Sequence, residues 1–128
     1  MIEPLAGSDS YQIAAKLLDA VSLRQEALAA NIANAETPGY KRVDVAPAFF
    51  DELRASIARG DFKSAGVDLQ ATLAEDEHAR TVRPDGNSVE IEHELAEMNR
   101  NSIEHEFLTE IVSTNLRQLR MAISGKSA

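Results

Sequence analysis

The chain has no cysteine and no tryptophan. Without cysteine there are no disulfides and no thiolate metal sites, and the redox compartment stays open. With aromatic residues at only 5%, apolar burial falls to Leu, Ile, Val and Ala, the residues of helix seams. No apolar run is long enough to span a bilayer. Residues 1–5 show neither a basic n-region nor an apolar h-region, so no cleavable secretory signal is expected. Positive charge is also scarce: 13 Lys and Arg stand against 21 Asp and Glu, for a net charge of −8. That balance argues against nucleic acid or an anionic membrane surface as the main partner. The six glycines are scattered, with no loop to cradle a phosphate. No serine stands in a Gly-x-Ser-x-Gly context. The chain therefore reads as a non-enzyme, with no cofactor and no small-molecule substrate.

What the sequence does have is helical periodicity. At 128 residues the length fits one domain. Ala14, Leu18, Val21, Gln25, Leu28, Ile32 and Ala35 recur at alternating steps of four and three, a heptad-like seam interrupted only by Gln25. Asp9 and Gln12 have capping-box spacing ahead of it. This predicts a helix over 9–35, roughly 40 Å long. After the turn formers Pro84-Asp85-Gly86-Asn87, a second stripe runs through Ile91, Leu95, Met98, Ser102, His105, Thr109 (with Leu108 beside it), Val112, Leu116, Leu119 and Ile123. Asn87 is placed to cap, with Glu90 at N3. Glutamates crowd residues 90–110, and Arg117, Arg120 and Lys126 follow, in the sense of the helix dipole. This predicts a helix over 88–124, with Glu97 a surface position.

Residues 36–87 form the turn and a variable middle. Phe49 to Arg59 reads as a short amphipathic helix closed by Gly60, with Phe50, Leu53 and Ile57 on one face. Val67-Asp68-Leu69-Gln70 alternates as an extended segment does. The expected fold is thus mainly α: a single domain over 1–128 in which two long terminal helices pair as a coiled coil around an irregular middle, with a short helix and room for short β segments. Leu17, Leu23, Ile103, Phe107 and Ile111 fall outside the main stripes. A lone hairpin would leave much of that surface wet, so self-assembly is expected.

Two Glu-x-x-His motifs, Glu75 to His78 and Glu90 to His93, have the spacing of carboxylate-bridged metal bundles. Pro84 and Gly86 break the chain between them, and two further glutamate-bearing helices are missing. The reading adopted is solvated acidic segments, without a metal. His105 on the second stripe reads as a packed or hydrogen-bonded interface residue. Ala27, Ala29, Ala30, Ala33 and Ala35 fit either close helix approach or plain helix propensity.

The most specific string is Asn31-Ile32-Ala33-Asn34-Ala35-Glu36-Thr37-Pro38-Gly39-Tyr40-Lys41. Pro38 ends the helix and holds Thr37 extended; Pro38-Gly39 fits the centre of a type II turn. Asn31 and Asn34 either satisfy carbonyls at the helix end or meet a neighbouring subunit. The string closely resembles the signature of the bacterial flagellar rod and hook family of axial proteins. Asp85-Gly86-Asn87-Ser88-Val89, with Glu94-Leu95 and Leu108 to Val112 after it, is most similar to the proximal rod members. His105 departs from an expected tyrosine, and Glu106-Phe107 from Gln-Ala. The resemblance implies a structural, torque-transmitting subunit of the periplasmic rod of the flagellar basal body. It implies export by the flagellar type III apparatus without a cleaved signal, and helical assembly with itself and with other rod proteins, the ring-rod junction protein and the membrane ring. Asn31, Asn34, Thr37, Pro38, Gly39, Tyr40 and Lys41 would carry the motif. Leu18, Val21, Leu28, Ile32, Ile91, Leu95, Met98, Val112, Leu116, Leu119 and Ile123 would be the seam and subunit interface. The competing class is a soluble cytoplasmic helical adaptor or secretion chaperone, which would not need the Asn-to-Lys string.

Overall fold

The computed structural model describes residues 9–125; the N-terminal residues 1–5 weighed for a signal, and Lys126, lie outside them. Helix α1 spans Asp9–Ala33, strand β1 Val43–Val45, helix α2 Pro47–Arg59, strand β2 Leu73–Glu75 and helix α3 Ile91–Ser124. A single π-turn, Phe62–Gly66, follows α2. The fold is mainly α, with two long terminal helices paired along a seam. Those helices are antiparallel: Asn31 reaches Glu94, Asn101 reaches Val21, and Ala14 packs with Leu108.

Helix α1 stops where its sequence changes from alanine to asparagine. The Asn34 N–H still bonds back to the carbonyls of Ala30 and Asn31, after which the chain enters the turn Thr37 to Tyr40. The Tyr40 N–H closes this turn onto the Thr37 carbonyl at 3.2 Å. Gly39 sits at φ +77°, the left-handed value that the third residue of a type II turn requires.

The middle segment is more ordered than its sequence suggests. Strands β1 and β2 pair antiparallel in the register Val43 with Glu75, Asp44 with Ala74 and Val45 with Leu73. Pro47 starts α2 at a position where a missing N–H costs nothing. Gly60 ends it in a Schellman closure, with Gly60 N–H on Ile57 O and Asp61 N–H on Ser56 O. Phe49, Leu53, Phe62, Val45 and Ala20 bury one another, with Ile13, Leu17 and Leu69 packed around them. The face of α2 that closes on α1 is thus Phe49 and Leu53, with Ser56 buried beside them, and not the expected Phe50, Leu53 and Ile57: Ile57 is exposed. A second cluster, Ala14, Val21 and Leu108, with Leu17, Leu18, Ile111 and Val112 beside it, joins α1 to α3.

Helix α3 begins at Ile91, later than the turn formers predict, and Glu90 at its N-cap makes no side-chain cap bond. Asn87 does not cap this helix; its side chain is committed to the opposite strand of chain, as described below. The face of α3 turned to α1 is centred on Glu94, Asn101 and Leu108, which share heptad spacing. It is offset from the apolar stripe: Ile91 is 38% exposed, Leu95 48% and Ile123 79%. Ser102 and His105 are exposed. Among the described residues no helix is long and apolar enough to cross a membrane.

Candidate functional site: a buried polar clasp

The two segments that carry the sequence motifs are far apart in the chain and lie against each other in space. Their contact is polar and largely buried, which is unusual enough in a domain with few aromatics to mark it as the principal site.

Asn31 is at its centre and fully buried. Its Nδ2 donates to the Val43 carbonyl at 2.8 Å and to Glu94 Oε2 at 3.1 Å. Its Oδ1 accepts from the Val43 N–H at 2.9 Å and from the Tyr40 hydroxyl at 3.3 Å. The side chain thus acts as one more strand partner for β1, and it ties the last turn of α1 to the start of α3. Asn34 uses its Nδ2 on the Ala30 carbonyl at 2.9 Å, while its Oδ1 accepts from the Thr37 hydroxyl at 3.1 Å. Both asparagines therefore serve the end of their own helix or the strand beside it.

Arg42, with its side chain 6% exposed, spans the clasp. Its Nε donates to Glu94 Oε1 at 2.5 Å, and its Nη1 lies 3.0 Å from Asp76 Oδ2 and 3.1 Å from Asp44 Oδ2. Burial works against the charge on Arg42. The hydrogen bond and charge of Glu94, with Asp44 adding to them, outweigh that effect and raise its pKa above the ordinary arginine value. Arg24 extends the network from α1, with Nε 2.9 Å from Asp44 Oδ1 and Nη2 2.9 Å from Glu97 Oε2. Burial alone would raise the pKa of Asp44; the bond and charge of Arg24, the Val45 N–H and the charge of Arg42 bring it below the usual carboxylate range. Glu97 is likewise lowered, against its own desolvation, by Arg24 and Arg100. It is a clasp member, not the surface position its sequence context suggests. Burial, then the negative charge of Glu94, pushes the Tyr40 hydroxyl up.

The far edge is sewn by backbone. Asn87, fully buried, donates Nδ2 to the carbonyls of Asn34 at 3.0 Å and Thr37 at 2.8 Å. Its Oδ1 accepts from the Val89 N–H. The Gly39 N–H reaches the Asp85 carbonyl at 2.9 Å, and the Ser88 N–H reaches the Tyr40 carbonyl at 3.0 Å. Lys41 Nζ donates to the Gly86 carbonyl at 2.6 Å, the Arg42 N–H to Ser88 Oγ at 2.8 Å, and Arg83 Nη2 to the Ala35 carbonyl. The Pro38-Gly39 turn has a geometric reason: it lets Gly39 present its backbone to the Arg83-to-Gly86 turn. Thr37 and Pro38 themselves stay exposed.

Of the seam residues, Val21 and Leu28 are buried, while Leu18, Ile32, Met98, Val112 and Leu119 are half-buried. Leu116 is 40% exposed. The histidines of both Glu-x-x-His motifs, His78 and His93, line one polar cavity of about 260 Å³ beside Asp76, Glu90 and Glu94. Among the described residues no group of three or more His, Asp or Glu is placed to share a metal ion. Arg24, Arg42, Asp44 and Glu94 are clasp residues that sequence reasoning did not single out as a site. The signal available was the charge pattern Lys41-Arg42-Val43-Asp44 directly after the motif, which periodicity does not rank.

The clasp spends most of its polar groups on one another and on backbone. What it can do is hold two helices and a turn in one fixed arrangement. Residues 13–41, which include α1 and the turn, match the model of a family described as flagella basal body rod protein. The chain is 31% identical to the flagellar basal body rod protein FlgB of Salmonella typhimurium, over 80% of this chain and 83% of that one. It is 31% identical to FlgB of Yersinia enterocolitica over 83% and 85%, and 29% identical to FlgB of Borrelia hermsii over 89% and 95%.

Proposed function

The chain belongs to the flagellar basal body rod protein family, and from that premise we propose that it is a proximal rod subunit that polymerises helically with itself and with other rod proteins. It is a structural flagellar rod protein; the adaptor or chaperone reading finds no support among its relatives. In the proposed reading one domain over 1–128 works without catalysis. It leaves the cell through the flagellar type III apparatus without a cleaved signal, and it packs in the periplasmic rod near the ring-rod junction protein and the membrane ring. The observation that carries this reading is the clasp: both motif segments are spent on fixing the angle between α1, α3 and the middle segment. A subunit that transmits torque needs such stiffness, because tightly packed, fully bonded interfaces switch between states rather than deform smoothly.

Fractionation of cells tests it. The parent chain should be recovered in isolated basal bodies. Leu28→Asp places a carboxylate at a fully buried site, which costs several kcal/mol, and it should be exported yet absent from basal bodies. Leu116→Asp, at a half-open site, should fold but assemble poorly, whereas Glu92→Gln on the exposed face should behave as the parent. A parent chain missing from basal bodies overturns the proposal, and retention of Leu28→Asp in the cytoplasm overturns the separation of export from folding.

A further inference from the structure

Helix α3 runs on past the described part of α1. Extending the antiparallel register places Asp9 opposite roughly residue 114, so the turns bearing Leu116, Leu119 and Ile123 pass beyond the first described residue of α1. Leu116 is 40% exposed and Ile123 79% exposed. Arg117 and Arg120 stand exposed beside them, and among the described residues neither joins an ion pair. Near the middle of the same helix, a groove of about 530 Å³ opens between α1, α3 and the junction of β1 with α2. Its walls are apolar, with Leu17, Pro47, Phe50 and Phe107 prominent; of its charged lining, Arg24 and Asp44 pair with each other and Glu104 is left over. Phe107 is 64% exposed, and Glu104 has no cationic partner among the described residues.

We propose that the C-terminal tip of α3 in one copy docks into this groove of the next copy. Leu116, Leu119 and Ile123 supply the apolar contact, and Arg117 and Arg120 meet Glu104. The proposal rests on the rod-subunit reading and adds which two surfaces meet. Phe107 and Ile123 lie about 24 Å apart on one straight helix, so a copy cannot fill its own groove. Pairing groove with groove would set Glu104 against Glu104, and pairing tip with tip would set arginine against arginine. The favoured contact therefore joins two different patches of one chain, which repeats from copy to copy as a ring or an open helix instead of closing into a two-fold dimer.

The absence of native cysteine makes the test clean. Ala122→Cys at the tip and Ala48→Cys beside Pro47 are made in separate full-length chains, mixed, and treated with a short bismaleimide. Ala58→Cys at the far end of α2 serves as control. The tip–groove pair should cross-link between chains well above the tip–control pair. Arg117→Glu with Arg120→Glu should cut that yield by about tenfold, and Glu104→Lys in the groove-bearing chain should restore it. These positions are exposed, so the fold itself is not at stake. Equal yields for groove and control overturn the proposal, as does a tip that cross-links instead to Leu5→Cys within its own chain. Either result, obtained with a parent chain still found in basal bodies, leaves the rod reading standing; a parent absent from them overturns that reading instead.

Discussion

Gln25 of α1 and Asn101 of α3 face each other inside the helix pair, with Asn101 Nδ2 2.8 Å from Gln25 Oε1. The same Nδ2 donates to the Val21 carbonyl at 2.9 Å, while Asn101 Oδ1, buried, has no partner among the described residues. The one polar interruption of the α1 stripe is thus met by a polar residue across the seam. A buried amide at such a position costs stability and fixes register, because any slip leaves it unpaired among apolar side chains. Asn101→Leu is expected to raise the thermal midpoint while permitting more than one association state. Sedimentation velocity alongside thermal unfolding checks this; a single species with a raised midpoint would show that the amide layer does not set register.

Asn31 offers a sharper destabilisation. Asn31→Ala strips both Val43 backbone groups and one Glu94 oxygen of a partner, and should cost about 2 to 4 kcal/mol. Asn31→Asp keeps the shape but places a second carboxylate against fully buried Glu94, so it should cost more than alanine does. Urea denaturation of the two variants at neutral pH decides the order; Asn31→Asp as stable as the parent would mean that the clasp is open in solution.

The depressed carboxylates predict acid sensitivity. Asp44 and Glu97 are held below their ordinary values in the folded chain, so the unfolded chain binds protons first as pH falls. Their stabilising contribution is complete above about pH 5, just beyond the usual carboxylate range, and is lost as pH drops through the lower folded values. Arg24→Gln removes the main cause for both groups. Its midpoint should lie below the parent's at pH 7 and fall less steeply on acidification, as thermal melts across pH 7 to 3 would record.

Gly66 is a test of packing. A methyl added there would overlap the Phe62 ring and Ser56 Oγ, and Phe62 is 2% exposed. Gly66→Ala should destabilise by about 1 to 3 kcal/mol, relieved in part by Ser56→Gly. Gly39→Val acts differently, since φ +77° disfavours a β-branched residue. It should impair basal-body incorporation more than Glu36→Ala does at equal protein levels. Equal motility of those two variants would show that the turn geometry is dispensable.

Periodicity made the long helices legible, and Gly60 made the end of α2 legible. It did not reveal which side of α3 turns inward. The stripe Ile91, Leu95, Met98 repeats as a seam should, yet Glu94 and Asn101 take the buried positions. Burying Glu94 is feasible only because Arg42 and Asn31 arrive from a segment distant in sequence, and no local pattern encodes that arrival. The same holds for the short strands: Leu73, Ala74 and Glu75 are all exposed, and their pairing is imposed by β1. The motif itself was legible as a turn, but its role as a lock against residues 83–88 was not, because Asn87 reads locally as a helix cap.

The clasp also decides where the chain can grow. The segment holding α2 and the π-turn departs at Ala46 and returns at Thr72, and those residues are joined by a backbone hydrogen bond of 2.8 Å. Exit and entry are therefore neighbours, sealed below by the β1–β2 ladder and the Arg42 network. Closure entropy rises slowly with length, by about 0.6 kcal/mol per doubling. An extra module inserted between these two residues would leave the helix pair unaware of its size, so the same shaft can carry outer parts of very different bulk.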